Sequence, residues 1–469
     1  MLRRFVPDSA IVGCIITCCL MIASVAPAGA RTRPHYGGTL RIELEGDPLQ
    51  RDLLQRPDGL GWRLILDGLT DLEVQGAVRP SLAERWATEN NDQRWQFWLR
   101  PGVSFQSGRP LNALAVVMSL DESCRLTACP WTGIHVVGQS VVFTSENPMP
   151  NLPSMLAGTE FLIRQSPDAS TSADGLNMVV GTGPFRIKEV NHDKALLEAN
   201  DDCWRGRPFV DAVEISWHRP TRDQWQDLSQ NRADIVEVRP SDVRQARQQR
   251  LNVAISPPQT LLALQVNNTQ LAPQHRAALA AAIDRAALFQ VIFQKEGEVS
   301  ASLLPSSLSG YSFLFPAERD LSHAQALRGG MTPPQLTLSV DGTGPMQLAA
   351  ERLALNLHDA GFTVKVAAPG ANVQTIRQAD LVLRALPLQS ATPAASLEAI
   401  LRSIGENKPV VASDAAAAYQ VEHEYLEQHT VIPLLYLPRA WALGDRIRDM
   451  DFDTSGVPDI ANISLEGGP

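Results

Sequence analysis

The pattern of hydrophobic and polar positions predicts a chain that mixes strands with helices. Apolar and polar residues alternate over residues 37–45 and again over 95–100, as on strands with one buried face. Residues 275–294 instead repeat apolar side chains at helical spacing, which predicts one long amphipathic helix. Two apolar runs on either side of the Gly138 turn predict a hairpin. The chain shows no internal repeat, and the mixture of elements indicates an α/β protein.

A β-α-β unit is predicted in the second half of the chain. Residues 336–340 and 362–366 have strand character, and the helical segment 346–360 between them ends at Gly361, a typical C-cap. A unit of this kind places its two strands side by side and parallel. Earlier in the chain, Asn112 precedes an apolar segment and is predicted to cap a helix.

The N-terminus carries the pattern of an export signal. Two arginines precede an apolar run over residues 11–25, and residues 28–30 give the small-x-small pattern that signal peptidase cleaves. The apolar run is about 15 residues long, which is shorter than the roughly 20 that a membrane span requires. We therefore expect a signal peptide over residues 1–30, cleaved after Ala30. An uncleaved anchor and a lipid anchor at Cys14 are the alternatives.

Composition and charge narrow the possible functions. The 469 residues are 44% hydrophobic and 20% charged, which is enough apolar material for large packed cores. At about 100–200 residues per domain, about two to four domains are expected. The formal net charge of −10 excludes a strongly basic nucleic-acid footprint. We expect no nucleic-acid partner.

The expected export to an oxidising compartment changes how the cysteines are interpreted. Three of the six lie in the first 30 residues. Cys124 and Cys129 are five positions apart, and in an oxidising compartment this spacing favours a local disulfide over two buried thiols. A metal site would need more soft ligands. Cys203 has no evident partner in the sequence.

No catalytic motif stands out. The chain lacks Gly-x-Ser-x-Gly, Gly-x-x-x-x-Gly-Lys and His-Glu-x-x-His. The nearest approach to a zinc motif is His423-Glu424 with Glu427 and His429, for which a solvated helix face is the favoured interpretation. We therefore expect no catalytic residue, no metal site and no cofactor.

Two further patterns resemble ligand sites but have simpler structural explanations. Asp449, Asp451 and Asp453 resemble the start of a calcium loop, but the glycine and glutamate that the loop requires are absent, so an exposed strand is favoured. Gly342-Thr-Gly344 could cradle an anion, but a simple turn between a strand and a helix is favoured.

The order of short motifs along the chain carries the clearest functional signal. The motifs are Gly37–Ile42, Leu66–Leu69, Val78–Trp86, Trp95–Phe105, Ser107–Asn112, Gly181–Arg186, Asn200–Pro208, Ala282-Ile-Asp-Arg285 and Val431–Tyr436. This order resembles the family 5 extracellular solute-binding proteins, which serve ABC importers for oligopeptides, dipeptides and nickel. The resemblance spans about residues 36–315 and 420–460.

The resemblance implies a two-lobed periplasmic-binding-protein fold of the class II type with an extra inserted domain. The expected division is a signal peptide at 1–30, lobe I from 31–55, 178–258 and 441–469, a domain II insertion at 56–177, and lobe III at 259–440. Hinge closure between lobes I and III would enclose a solute. The implied protein is a periplasmic monomer that passes a small solute or peptide to an ABC permease in the inner membrane.

The chain departs from the family pattern at two positions. Cys203 stands where relatives usually have tyrosine. Arg384 stands where peptide-binding relatives carry an acidic residue that pairs with the peptide amino terminus. Arginine would repel an ammonium group and favour a carboxylate or phosphate. We therefore hypothesise either a ligand that is not an ordinary peptide or an amine bound elsewhere. A surface salt bridge is the alternative role for Arg384.

Candidate ligand-binding residues follow from the resemblance. They are Glu45, which follows the first strand, Trp204, Asn267, which follows the first strand of lobe III, and Arg384. For Trp204 a core position is favoured over ligand contact. The leading interpretation is an importer component, and the alternative is a degenerate family member acting as a periplasmic sensor or scaffold without transport. An enzyme on the same fold lacks any supporting constellation.

Overall fold

The structure is a computed structural model that describes most of the chain from Tyr36 onward. The described residues are 36–49, 60–73, 77–127, 129–166, 179–268, 270–309, 315–330, 335–340, 344–368, 373–388, 392–406, 409–412, 414–448 and 450–466. The predicted signal peptide lies outside these residues. In the described part of the chain, no helix is long and apolar enough to cross a membrane.

The strands are numbered in chain order. They are β1 (Thr39–Glu43), β2 (Thr70–Leu72), β3 (Val78–Pro80), β4 (Ala83–Glu89), β5 (Arg94–Leu99), β6 (Gly133–Val137), β7 (Ser140–Thr144), β8 (Phe185–Val190), β9 (Lys194–Ala199), β10 (Ala212–Ser216), β11 (Ile235–Val238), β12 (Asn252–Ile255), β13 (Thr260–Val266), β14 (Glu298–Val299), β15 (Leu336–Val340), β16 (Val364–Val366), β17 (Leu381–Pro387), β18 (Val431–Leu437), β19 (Ala440–Leu443), β20 (Ile447–Arg448) and β21 (Ser464–Leu465).

The helices are numbered in the same way. They are α1 (Leu60–Ile65), α2 (Ala113–Leu126), α3 (Leu152–Met155), α4 (Thr221–Ser229), α5 (Val243–Gln248), α6 (Pro273–Ala282), α7 (Arg285–Ala287), α8 (Ser306–Ser309), α9 (Leu321–Arg328), α10 (Pro345–Asp359), α11 (Val373–Gln378), α12 (Pro393–Ser403) and α13 (Ala415–Glu427). Short 3₁₀ turns lie at Thr159–Phe161, Pro240–Asp242 and Ile460–Asn462.

The first large sheet has seven strands in the order β12-β19-β11-β1-β10-β9-β8. β1 lies in its centre and runs parallel to both of its neighbours, β10 and β11. The alternation predicted for residues 37–45 is confirmed, because Leu40 and Ile42 are buried in the core on one face. Arg41 points to the other face, where its guanidinium binds the buried carboxylate of Asp234 at 3.0 Å.

The second large sheet has six strands in the order β14-β18-β13-β17-β15-β16. The predicted β-α-β unit is confirmed: β15 and β16 pair in parallel, and α10 connects them. Apolar cores cover both faces of this sheet. Because both faces are covered, the sequences of these strands are nearly continuous apolar runs. In Leu261–Leu264, for example, every residue is buried.

A smaller antiparallel sheet has the strand order β4-β5-β7-β6. In the sequence, its strands follow β1 and precede all other strands of the seven-stranded sheet. The predicted hairpin of β6 and β7 is confirmed, and so is the cap of α2, where the Asn112 side chain accepts from the amide of Ala115 at 2.9 Å. A disulfide joins Cys124 at the end of α2 to Cys129, which is the pairing that the spacing favoured. Cys203 is a buried free thiol.

Two segments connect the large sheets. Residues 256–259 lead from β12 to β13, and residues 438–439 lead from β18 back to β19. The segments bind each other, because the amide of Ser256 donates to the carbonyl of Arg439 at 2.9 Å and the amide of Arg439 donates to the Ser256 hydroxyl at 3.0 Å. The strands of each sheet fall within the ranges expected for lobe I, domain II and lobe III, except that β19 of the seven-stranded sheet begins at Ala440, one residue before the expected lobe I segment. Those domain boundaries remain a prediction.

The single helix predicted over residues 275–294 is wrong. α6 ends at Ala282, and Ile283 has an extended conformation with ψ of 127°. The Asp284 side chain then accepts from the amide of Ala287 at 2.9 Å and starts a new helical turn. An aspartate that offers its backbone an alternative hydrogen bond favours a helix start over a helix interior.

The exposed strand predicted around Asp451 and Asp453 is also wrong. The described residues there form a turn with one isolated bridge between Phe452 and Pro458. Asp453 explains the turn, because its Oδ1 accepts from the amides of Ser455 and Val457 at 2.8 and 2.9 Å. The Asp453 carboxylate thus stabilises the turn by accepting hydrogen bonds from the backbone of the residues that follow it.

Candidate functional site

Three neighbouring parallel strands of the seven-stranded sheet end at one edge. The loops after β1, β10 and β11, residues 44–48, 217–220 and 239–242, leave the sheet together there, and we call them the first edge. They carry Glu45, Arg219 and Arg239. In open α/β sheets, ligands bind beyond the carboxyl ends of the parallel strands. The first edge is therefore one wall of the candidate site.

The carboxyl ends of β15, β16 and β17 form a corresponding edge of the six-stranded sheet, which we call the second edge. Pro387 at the end of β17 pairs with Thr260, the first residue of β13, so the second edge adjoins the segment that enters from the other sheet. α10 begins beside this edge at Gly344, shortly after β15.

Arg239 is the residue through which the two edges touch. Its guanidinium lies 3.6 Å from the carboxylate of Glu45 and 2.7 Å from that of Asp242. A Cβ placed on Gly344 would lie 3.1 Å from Nη1 of Arg239, and Gly344 has φ of +59°. The backbone conformation therefore favours glycine at this position, and a Cβ there would also require the guanidinium to move by a few tenths of an ångström.

A buried carboxyl group lies behind the first edge. Glu43, the last residue of β1, is 8% exposed, and its Oε1 lies 3.5 Å from the guanidinium of Arg219. Its Oε2 accepts no hydrogen bond from the described residues. Burial raises the pKa of Glu43 to about 7, while the charge of Arg219 acts in the opposite direction. Arg219 also binds Asp227, so that charges of opposite sign alternate along this edge.

A polar network joins α12 to the region that contains the four-stranded sheet. The Asn151 amide donates to the buried carboxylate of Glu398 at 2.7 Å and to the carbonyl of Val410 at 3.0 Å. Arg402, one turn further along α12, lies 3.6 Å from Glu398 and 3.5 Å from Glu160. This network fixes α12 against the region that contains the four-stranded sheet.

The comparisons with known proteins identify the family. The family model of the bacterial extracellular solute-binding proteins, family 5 Middle, matches residues 77–408. The chain belongs to this family. A curated relative is the "Probable di/tripeptide-binding protein 5" of Pseudomonas aeruginosa (strain UCBPP-PA14), which is 25% identical over 408 residues and is covered to 75%, as is this chain.

Solved structures show the same two-lobed α/β fold. NikA from Staphylococcus aureus in complex with Ni(L-His)2 superposes with a TM-score of 0.75 at 18% identity, over 91% of this chain and all of that one. A dipeptide-binding protein from Pseudoalteromonas sp. SM9913 in complex with Met-Leu gives 0.77 at 17% identity, over 92% of this chain and all of that one. At these identities the likeness establishes the fold of this solute-binding protein.

Of the ligand-binding residues predicted from the sequence, Glu45 lies in the first edge, where it forms an ion pair with Arg239. Trp204 is not part of the first edge. It is half-buried and packs against the apolar core of the region that contains the four-stranded sheet. Its indole nitrogen donates to the buried carboxylate of Asp67 at 2.9 Å, and the Arg100 guanidinium lies 4.9 Å from its ring centre. Asp67 also accepts from the Thr182 hydroxyl at 2.7 Å. These contacts are structural, and a role for Trp204 in ligand binding stays a prediction.

Asn267 lies at the end of β13 opposite the second edge. Its amide donates to the carbonyl of Ala379 at 3.2 Å, and its backbone nitrogen donates to the carbonyl of Asp380 at 2.8 Å. Both partners precede β17, whose carboxyl end forms the second edge. The structure therefore does not bring Asn267 together with Glu45, and a role in ligand binding stays a prediction.

Arg384 is half-buried beneath α12. Its Nη1 donates to the carbonyl of Ser403 at 2.8 Å and to the side chain of Gln265 at 3.1 Å. Gln265 in turn donates to the carbonyl of Ile404 at 3.0 Å. A guanidinium at the carboxyl end of a helix is favoured by the helix dipole. Arg384 therefore anchors the end of α12, and its pairing with a ligand carboxylate remains a hypothesis.

Sequence analysis did not select Arg239 or Glu43. Glu43 ends a segment that was predicted as a strand, and Arg239 directly follows β11. What was missing was the knowledge that β1, β10 and β11 are neighbours in the sheet, because strand order depends on contacts between distant parts of the chain. The described residues contain no group of three or more His, Cys, Asp or Glu side chains that could hold a metal ion.

Proposed function

We propose that this chain is the periplasmic substrate-binding component of an ABC importer. The observation that carries the proposal is the meeting of the two edges at Arg239, Glu45 and Gly344, next to the two segments that connect the sheets. A solute bound there would contact both sheets at once. Two connecting segments can act as a hinge, so closure around the solute would produce a conformation that a permease recognises. No bond is broken in this process.

The ligand that fits this arrangement is a small solute with charged groups, such as a peptide. Glu45 is half-exposed and its ion pair with Arg239 is long at 3.6 Å, so both groups can exchange partners with a ligand ammonium and a ligand carboxylate. The relatives support this class of solute, since one is a probable di/tripeptide-binding protein and two of the similar solved structures hold Met-Leu and Ni(L-His)2. Glu45 would then serve as the amine-binding group in place of the acidic residue that is absent near Arg384.

The proposal includes the route to the periplasm. Residues 1–30 would direct export and be removed after Ala30, and the mature monomer would deliver its solute to a permease in the inner membrane. Mass measurement of the protein from the periplasm tests the first point, because cleavage after Ala30 gives a chain that begins at Arg31.

The function is tested by isolating the solute and following its uptake. Native mass spectrometry of the periplasmic protein is expected to show a bound small molecule that is lost on unfolding. Cells that lack the chain should lose uptake of that solute, and the wild-type chain should restore it. Restored uptake with a variant that binds no solute would contradict the proposal, and would favour a sensor or scaffold.

A further inference from the structure

A pocket lies within the region built on the six-stranded sheet, at the end of β18 opposite the second edge. Val431 at the start of β18 pairs with Gln265, whereas Leu437 at its other end pairs with Thr260 beside the connecting segment. The pocket has a volume of about 180 Å³. Its apolar walls are formed by Ala280, Phe315, Leu426, Ile432 and Pro433.

Arg285 places a buried positive charge at this pocket. The residue is 4% exposed. Its Nε donates to the carbonyl of Pro433 at 2.8 Å, and its Nη1 donates to the carbonyl of Ala317 at 3.3 Å. Nη2 donates to none of the described residues, and none of their carboxylates lies within ion-pair distance of the guanidinium. Burial alone lowers the pKa of Arg285 to about 10, so the group remains charged at neutral pH.

The other polar groups of the pocket do not neutralise this charge. Glu427 is mostly exposed and lies 3.5 Å from the ring of His423. His429 faces the backbone, with its Nδ1 2.8 Å from the carbonyl of Glu427. Burial lowers the pKa of His429, and the charges of Arg276 and Arg285 act in the same direction. A buried cation without a counter-ion is costly, and an anion that enters the pocket removes that cost.

We propose that this pocket binds a small carboxylate with a short apolar tail. The carboxylate would accept from Nη2 of Arg285, and the tail would contact the walls at Phe315 and Leu426. A phosphate ion fits less well, because a single unused donor nitrogen and apolar walls would leave most of its oxygens without partners. The pocket is separate from the candidate site between the sheets, so the proposal does not depend on the importer function.

Butyrate is the probe, and butyramide is its uncharged match. We expect a calorimetric titration of the wild-type protein to show one saturable site for butyrate with a dissociation constant on the order of 1 mM. Butyramide and inorganic phosphate should each bind at least about tenfold more weakly. Equal binding of butyramide would overturn the role of the charge, and equal binding of phosphate would overturn the assignment to a carboxylate.

Two variants locate the binding. Arg285→Gln is expected to abolish the site, but Arg285 also anchors two carbonyls, so its loss can unfold the chain. Ala280→Leu leaves the guanidinium in place and fills the pocket with a larger side chain. It should abolish saturable butyrate binding while the solute bound between the sheets retains its affinity. Unchanged butyrate binding in a folded Ala280→Leu protein would overturn the proposal.

Discussion

Nη1 of Arg239 lies 3.6 Å from Oε1 of Glu45, and the two side chains come from loops that follow neighbouring parallel strands. The same guanidinium lies 3.1 Å from the position that a Cβ would take on Gly344, at the start of α10. A charged pair from one sheet thus contacts a helix of the other. This relationship makes the pair the most direct place to test solute binding.

Replacement of Glu45 should weaken solute binding without unfolding the protein. Glu45→Gln removes the negative charge from a half-exposed position, so we expect the dissociation constant of the native solute to rise by about tenfold, or about 1.4 kcal/mol. Isothermal calorimetry measures the change. The matched control is Glu89→Gln, which removes a carboxylate from the exposed Glu89–Arg94 pair on the small sheet. Equal affinities for the two variants would argue against a role for Glu45.

A side chain at Gly344 should impair closure. Gly344→Ala forces an L-residue to φ of +59° and brings its Cβ against Arg239, so we expect a loss of stability of about 1–3 kcal/mol together with weaker solute binding. Gly329→Ala is the control, because Gly329 has φ of +66° but no atom lies near its Cβ position. It should lose similar stability, measured by urea unfolding, with unchanged affinity. Weaker binding in both variants would assign the effect to strain alone.

Stability should depend on pH through Glu422. This residue is buried and accepts from the amides of Leu303 and Leu304, and burial raises its pKa from 4.5 to about 7. Because the folded state holds the proton more tightly than the unfolded state, this stabilisation is complete below about pH 4.5 and is lost as the pH rises through 7. Glu43, with its raised pKa, acts in the same direction.

Glu422→Gln tests this dependence, since glutamine keeps an acceptor and has no proton to lose. Relative to wild type, its free energy of unfolding should increase by on the order of 2 kcal/mol between pH 5 and pH 8. The control Glu424→Gln changes an exposed carboxylate on the same helix and should follow wild type at both pH values. A difference between Glu422→Gln and wild type that is constant with pH would contradict the prediction.

Removal of the Cys124–Cys129 disulfide should destabilise the region that contains the four-stranded sheet. The bridge closes a short loop, so the expected loss is about 2 kcal/mol. Thermal unfolding of Cys129→Ser, or of the wild type under reducing conditions, measures it. Cys203→Ser is the control, because Cys203 forms no disulfide. Reductant should lower the melting temperature of this variant by the same amount as that of the wild type. The same melting temperature with and without reductant in the wild type would refute the prediction.

Local patterns predicted individual elements well where neighbouring residues decide them. The cap at Asn112, the hairpin of β6 and β7, and the parallel pair of β15 and β16 depend on turns, caps and short connections. The single helix predicted over 275–294 is broken because the Asp284 side chain accepts from the amide of Ala287, while the Asp284 amide donates to the side chain of Asn356, 72 positions away. Apolar periodicity alone could not report that contact.

The sequence by itself determined the family, the mixed α/β class and the acidic character of this solute-binding protein, because ordered motifs, periodicity and composition are properties of the chain. Only the tertiary structure decided which loops share an edge. It placed Arg239 beside Glu45 and Gly344, placed Trp204 on the buried carboxylate of Asp67, and placed Arg384 beneath α12. The physical reason is that strand order and buried ion pairs depend on contacts between residues hundreds of positions apart, which no local pattern encodes.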